Sequence, residues 1–455
     1  MTRPNRPALS RRTLLGGTAA AGVGAVLASG TAAAADSERR RNPIDQAAVD
    51  AVAARLDGDL IALRRDLHQH PETTGKETYT AAAVAARLRA AGLDVTTGVG
   101  RTVKDGKEVP GTGVVAVLRG SRPGRTVAYR ADMDAVPGDG IVPKVPGPPA
   151  PNQPPAHACG HDLHTTVGVG VAQTLAQLRH RLSGTVVFFF QPGEEGLVGA
   201  RAMIDDGVLE TTGAEEIHAL HCGPYPVGQF AVTPGSGLPG QDWAAVTLAG
   251  PDATAAAGRL KAEIGRLSTV ALPQGPADLE KMVADVQTPD GPLARFVVTG
   301  GRVNDPDAEG RVRLDVKFRC WPQERNVEIR ERIRQLAQSY PGAVVTYPRD
   351  PFPALVCPED DANALARHLR RTLGSGGVTV NHAAFPFNGE DYALFMERIP
   401  GTYTFLGVRT PGSGIETSYP HYETFAPDER AIGVGVRAMA GWLATRTRRY
   451  GVSDN

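Results

Sequence analysis

Three short segments hold most of the side chains able to do chemistry. The first is His157-Ala158-Cys159-Gly160-His161-Asp162-Leu163-His164. The second is Gln191-Pro192-Gly193-Glu194-Glu195-Gly196, and the third is His218-Ala219-Leu220-His221-Cys222-Gly223. His421 stands far along the chain, in Ser418-Tyr419-Pro420-His421-Tyr422. Thiolate, imidazole and carboxylate together are a ligand set for zinc or a similar divalent first-row metal. The Glu194-Glu195 pair suits two jobs. One carboxylate binds metal, and the other takes a proton from metal-activated water and returns it to the leaving amine. A lone histidine in such a segment reads as a hydrogen-bonded loop residue. The clustering of all these types points to a metal site.

The surrounding pattern says what must hold these residues. Apolar residues recur at three and four spacing from 44 to 67, and a further helix is expected over 78–91, ending at Gly92. Residues 94–97, 113–118, 126–130 and 184–190 read as strands, the last three as buried ones bounded by Gly and Pro. A Pro-rich loop covers 138–155, and a helix is expected over 165–178. The alternation predicts an α/β catalytic body, with a central, mostly parallel sheet flanked by helices. The metal-site segments, placed after strands, would then lie at the carboxyl edge of that sheet.

The pattern changes after Gly240. Strand 242–248, helix 253–270, strands 294–303 and 311–320, helix 327–339 and strand 343–347 follow the split βαβ order. Residues 243–347 therefore read as a small inserted α+β (ferredoxin-like) domain. The catalytic domain would comprise 36–242 and 348–455. Its second part holds helix 361–374, the segment 389–396, strand 402–408 and a last helix over 431–446.

The chain has 455 residues, with Lys+Arg and Asp+Glu both 49, so its formal charge is zero. That balance argues against a nucleic-acid binder, which needs clustered Lys and Arg to neutralise phosphate. Gly (53) and Pro (36) make up about a fifth of the chain, below the roughly 25–30% of low-complexity disorder. Four cysteines are too few for a disulfide scaffold. The N-terminus reads Ser10-Arg11-Arg12-Thr13-Leu14-Leu15, then a weakly apolar Ala/Gly run to Ala35. This is the layout of a twin-arginine leader, residues 1–35, cleaved near Ala34 to Asp36. Gly and Ala make the run a poor membrane anchor. The expectation is an exported protein, secreted or in the cell envelope, with no stable membrane insertion after leader removal.

At this point the segments resemble a known family, the amidohydrolase branch of the dinuclear metallopeptidases. It includes hippurate hydrolase, the N-acyl-amino-acid aminoacylases and the auxin-conjugate amidohydrolases. The similar stretches are Leu67-His68-Gln69-His70-Pro71-Glu72, Arg130-Ala131-Asp132-Met133-Asp134-Ala135-Val136-Pro137, the three segments above, Gly389-Glu390-Asp391-Tyr392 and His421. The resemblance implies two divalent metal ions, zinc or else manganese, cobalt or nickel. It implies Cys159, His161, Glu195, His221 and His421 as ligands, with Cys159 bridging. It implies Glu194 as general acid/base in hydrolysis of the amide of an N-acyl amino acid or small peptide-like substrate. Asp132 and Asp134 read either as residues that orient ligands or as solvated turn carboxylates. His157 and His164 are open between packing, ligand support and substrate contact. His68 and His70 read as structural. No substrate-binding residue emerges.

One departure stands out. The family's small domain carries a Gly-Gly-His segment after its first strand. Its histidine reaches a partner subunit's site and steadies the oxyanion. Here that strand is followed by Gly250-Pro251-Asp252-Ala253-Thr254, and no histidine occurs between His221 and His368. Another group, such as an arginine, must serve the oxyanion, or the chain is a catalytically impaired homologue that binds metal and a ligand or partner. The family's homodimer is in doubt for the same reason. A serine hydrolase is a third option, but the chain has no Gly-x-Ser-x-Gly elbow. Cys320 and Cys357 are a possible disulfide pair after export.

Overall fold

The triple Phe188-Phe189-Phe190 shows how the core is laid out. Side chains alternate along a strand. Phe188 and Phe190 enter one apolar core and Phe189 another, so this strand is buried on both faces. The computed structural model describes residues 43–104, 107–143 and 153–449. The leader expected at 1–35 lies outside the described residues.

The body begins with helices α1 (Gln46–Ala53), α2 (Asp57–His68) and α3 (Thr78–Ala90). Strands β1 (Asp94–Val99), β2 (Thr102–Lys104), β3 (Lys107–Val109), β4 (Gly113–Arg119) and β5 (Arg122–Asp132) follow. Helix α4 (His161–Gln177), β6 (Ser183–Gln191), α5 (Gly199–Asp205), α6 (Val208–Thr212), β7 (Glu216–Pro226), β8 (Phe230–Val232) and β9 (Gly237–Leu238) complete the first part. The next stretch is β10 (Asp242–Leu248), α7 (Ala253–Gly265), α8 (Pro276–Val286), β11 (Phe296–Val303), β12 (Val312–Trp321), α9 (Asn326–Gln338) and β13 (Val344–Thr346). The chain ends with β14 (Leu355–Val356), α10 (Glu359–Leu373), β15 (Val378–Val380), α11 (Ala393–Met396), β16 (Gly401–Arg409) and α12 (Arg430–Arg446).

The main sheet has eight strands in the order β1-β4-β6-β5-β7-β16-β8-β15. Its centre, β6-β5-β7-β16, is parallel, while β4 and β8 run against their central neighbours. Helices cover both faces. The expected α/β body is the one the chain adopts. Strands β10 to β13 form a separate antiparallel sheet, order β11-β12-β10-β13. That is the ferredoxin-like arrangement, with its own core of Val246, Leu260, Ile264, Leu314, Phe318 and Ile333.

The structure corrects several local expectations. Helix α4 starts at His161 rather than 165, directly after the left-handed Gly160 (φ +89). His218 to Gly223 lie inside β7 and not after it. Helix α7 stops at Gly265 rather than running to 270, and α8 is an additional helix that the sequence reading missed. Pro276 at its start and apolar residues at 279, 282, 283 and 286 were the available signal. The split βαβ order needs a single crossover helix there, and α7 already filled the place. The Cys320–Cys357 disulfide does not form. Both thiols are free, in different cores; Cys320 bonds Asn326 Oδ1 at 2.6 Å, and Cys357 accepts from the Tyr403 N–H at 3.1 Å.

Candidate metal centre

The three segments and His421 meet at one end of the parallel strands. Cys159, His161 and His221 bring their donor atoms within 4.8 Å of one another, and Cys159, Glu195 and His421 do the same. The two groups share Cys159, as a bridging donor would. Gly160 makes the approach possible. A Cβ there would sit 2.6 Å from Cys222 Sγ, so only glycine lets this loop lie against β7.

His221 and His421 are each aimed by the other ring nitrogen. His221 Nδ1 donates to its neighbour's carbonyl, Cys222 O, at 2.8 Å, leaving Nε2 3.4 Å from Cys159 Sγ. His421 Nδ1 lies 3.3 Å from Gly140 O, leaving Nε2 3.5 Å from Glu195 Oε2. Fixing one ring nitrogen on a carbonyl selects the tautomer whose free nitrogen can bind metal. His421 also holds a left-handed backbone (φ +70), pinned by its N–H on Ala158 O at 2.7 Å. Such strain in a bulky residue persists only where the surroundings impose it.

The donor set fits divalent metal. Both ring nitrogens of His161 and Oε1 of Glu195 are buried without a hydrogen-bond partner. Unpaired buried polar atoms are costly and call for something to satisfy them. Burial opposes charge on His161, but Asp132, Asp134 and Glu195 outweigh it and push the imidazole up to about 10. Burial and the carboxylates Glu195 and Glu194 push the Cys159 thiol well up. Carboxylates crowded around a thiol and an imidazole draw positive charge to the site, which a divalent ion would supply in place of the proton on His161.

His164, by contrast, is already committed. Its Nδ1 bonds Asp132 Oδ1 at 2.7 Å and its Nε2 accepts from the Cys222 N–H at 2.7 Å. With both nitrogens used, it supports the centre without joining it. His157 is buried with neither nitrogen bonded, and burial brings it down to about 4. His68 ties α2 to α4 through Asp162 at 2.8 Å, and His70 stacks on Tyr79. Both roles are structural, as expected.

Asp132 and Asp134 are fully buried, which removes the solvated-turn reading. Asp134 shapes the Glu194-Glu195 turn. It accepts from the Glu194 N–H at 3.0 Å, the Glu195 N–H at 3.1 Å and the Thr74 hydroxyl at 2.8 Å. Behind Glu194 lies a network in which Asp132 joins three residues to which the sequence assigns no role, Arg130, Glu390 and Asp391. Buried Arg130 donates to Gln191 Oε1 at 2.9 Å, Glu390 Oε1 at 2.9 Å, Asp391 Oδ1 at 3.2 Å, and Asp132. Glu194, Glu390 and Asp391 place carboxylate oxygens within 4.8 Å of one another. Burial, then Glu390, Glu195 and Asp391, push the Glu194 carboxyl well above the usual range, against the pull of Arg130. A carboxyl held this way retains protons more readily than a free glutamate.

The insert reaches the same cleft. Lys317 and Arg319, on β12, line it together with Cys159, Glu194, Glu195, His221 and His421. Arg319 is anchored by a bond to Phe387 O, and burial brings it down to about 10. These cations are the insert's polar contribution where the histidine is missing.

Residues 128–445 match peptidase family M20/M25/M40. A probable hydrolase of Synechocystis is 32% identical over 396 residues, covering 84% of this chain and 95% of that protein. An N-acetylcysteine deacetylase of Bacillus subtilis is 30% identical, covering 84% of this chain and 95% of that protein. In fold, a dinuclear metal-binding peptidase of the M20 family from Bacillus subtilis matches with a TM-score of 0.65 at 27% identity, covering 87% of this chain and 99% of that one. The shared cysteine, the paired glutamates and these likenesses agree on metal-dependent hydrolysis of amide bonds, and the chain belongs to peptidase family M20/M25/M40.

Proposed function

We propose that this protein hydrolyses the amide of N-acyl amino acids or small peptide-like substrates, with Glu194 as general acid/base. The observation that carries the reading is the pair of donor groups sharing Cys159, with Glu194 beside them. Cys159, His161 and His221 would hold one divalent ion, and Cys159, Glu195 and His421 the other. When bound, such ions polarise a scissile carbonyl and make a water acidic near neutral pH. Zinc suits the donors, with manganese, cobalt or nickel as exchangeable alternatives.

The chain's own groups do the rest. Asp134 fixes the turn that presents Glu194. Glu194 takes a proton from the attacking water and delivers it to the departing nitrogen. Arg319, from the insert, supplies the positive pole that the absent histidine leaves open. The leader supports export of the folded protein by the twin-arginine route, and a homodimer through the insert remains a proposal without its usual histidine.

The test combines metal analysis with a panel of N-acetyl, N-benzoyl and dipeptide substrates. About two metals per chain with turnover is expected. In Glu194→Gln, turnover should fall about 10²–10⁴-fold while metal content holds. Equal turnover in that variant would remove Glu194 from the mechanism. A chain that takes up no metal would sink the ligand assignment.

A further inference from the structure

The insert contains one helix more than its fold needs. Helix α7 does the expected work, packing Ala257, Leu260 and Ile264 onto the insert's own sheet. Helix α8 does not. Its buried residues Leu279, Met282, Val283 and Val286 lie outside the insert's own core, in a cluster with Phe385, Ile415 and Tyr419 of the large body and Phe296 and Trp321 at the insert's strand ends. Three contacts hold it there. His382 N–H donates to Val286 O at 2.8 Å, Thr379 Oγ1 donates to Gln287 Oε1 at 2.9 Å, and Arg409 pairs with Glu280 at 2.7 Å.

Fastened in this way, α8 faces the cleft. Leu279 and Met282, with Leu272 and Pro273 from the chain leading into it, line the same cavity as Glu194 and Cys159. That cavity measures about 350 Å³, inside the roughly 300–1,000 Å³ range of small-molecule sites. Leu272 is 63% exposed, an apolar group open to water unless something covers it. The cations of the cleft, Lys317 and Arg319, come from β12, with Arg319 held against Phe387 and Gly389. An amide substrate likewise has two sides, an acyl group and an amino acid ending in a carboxylate. A charged carboxylate belongs by Lys317, which leaves the acyl group for the apolar side.

We propose that α8 and residues 272–273 form an acyl-binding wall, so that this enzyme prefers substrates with a bulky apolar acyl group over acetylated ones. The inference rests on the amide-hydrolase reading and deepens it. The wall is apolar and rigidly held, so it rewards each added methylene by removing it from water.

The experiment measures kcat/KM for one amino acid carrying acetyl, butyryl, octanoyl or benzoyl groups, on the metal-loaded protein. The first methylenes should each raise kcat/KM about fourfold. Leu272→Ser, at an exposed position that does not threaten the fold, should cut the octanoyl-to-acetyl ratio about tenfold. Met282→Ser should cut it further, while Val327→Ser, on exposed α9, should leave the ratio alone. Turnover that is flat across the acyl series, or best with acetyl, overturns the inference and spares the hydrolase. So does a Leu272→Ser effect that follows the amino-acid side chain instead of the acyl group. If no member of the panel is cleaved, the hydrolase reading fails. Calorimetric binding of octanoate, compared with acetate, then decides the wall: tighter octanoate binding weakened by Leu272→Ser supports it, and equal binding ends it.

Discussion

The eight-stranded body and the four-stranded insert treat charge in opposite ways. In the body the cation nearest the general base is spoken for. Arg130 is buried and answers Asp132, Glu390 and Asp391 together. In the insert, β12 sends Lys317 and Arg319 into the same cleft, and among the described residues no carboxylate pairs with either. A body whose side-chain charges are internally arranged is preorganised to hold metal and move protons. An insert with unanswered cations is arranged for an anion from outside. The insert's missing histidine and its second helix therefore bear on the groups that meet the substrate, which are Lys317, Arg319 and α8.

The sharpest way to break this comparison is inside the body. Arg130→Met leaves three buried carboxylates without their cation. Removing one partner of a buried ion pair costs about 3–5 kcal/mol, so the unfolding midpoint in urea should drop by that equivalent. The drop should survive chelation, because it belongs to the side-chain network and not to the metals. A loss below about 1 kcal/mol would mean that the network does not depend on Arg130, with Asp391, which burial pushes up to about 8, held protonated.

A comparable loss, in rate and not stability, is expected from the insert. Arg319→Met should lower kcat/KM about 10²–10³-fold, the cost of one donor to a developing oxyanion. Arg319→Lys should recover part of it. If Arg319→Met raises only KM, the arginine binds the substrate carboxylate and some other group serves the oxyanion. If neither parameter moves, the insert is a scaffold and the contrast drawn above is wrong.

The two regions also differed in how far their sequences could be read. The donor residues were legible because metal chemistry needs rare types in short contiguous runs, and the parallel strands that carry them are plain apolar stretches. The support for those donors was harder to see. Arg130 follows Tyr129 in a strand where a charged side chain reads as solvent-facing, and its three acidic partners are scattered over 260 positions of chain. His164 and His161 look alike in sequence, and only the Cys222 N–H across the sheet shows that one is committed. Helix α8 carried a clear amphipathic signal, but the ferredoxin-like order accounted for the insert without it. Cys320 and Cys357 showed the opposite problem, a pairing suggested by composition and refused by burial in separate cores.

The smallest effect concerns Lys317, and it sharpens the comparison most. The lysine is exposed, yet it lines the cleft. Partial desolvation, with Arg319 and Arg349 nearby, brings it down to about 8. It is therefore a cation below that pH and neutral above it. An anionic substrate should show a flat KM below pH 8 and a rise of about fivefold above it, the weight of one partly exposed charge pair of about 1 kcal/mol. High salt should shrink the rise, because the pair is open to solvent. Lys317→Met should give the raised KM at every pH with no break, and Lys317→Arg should move the break beyond the measured range. A break that persists unchanged in Lys317→Met would belong to another group, and would remove Lys317 from the binding of the anion.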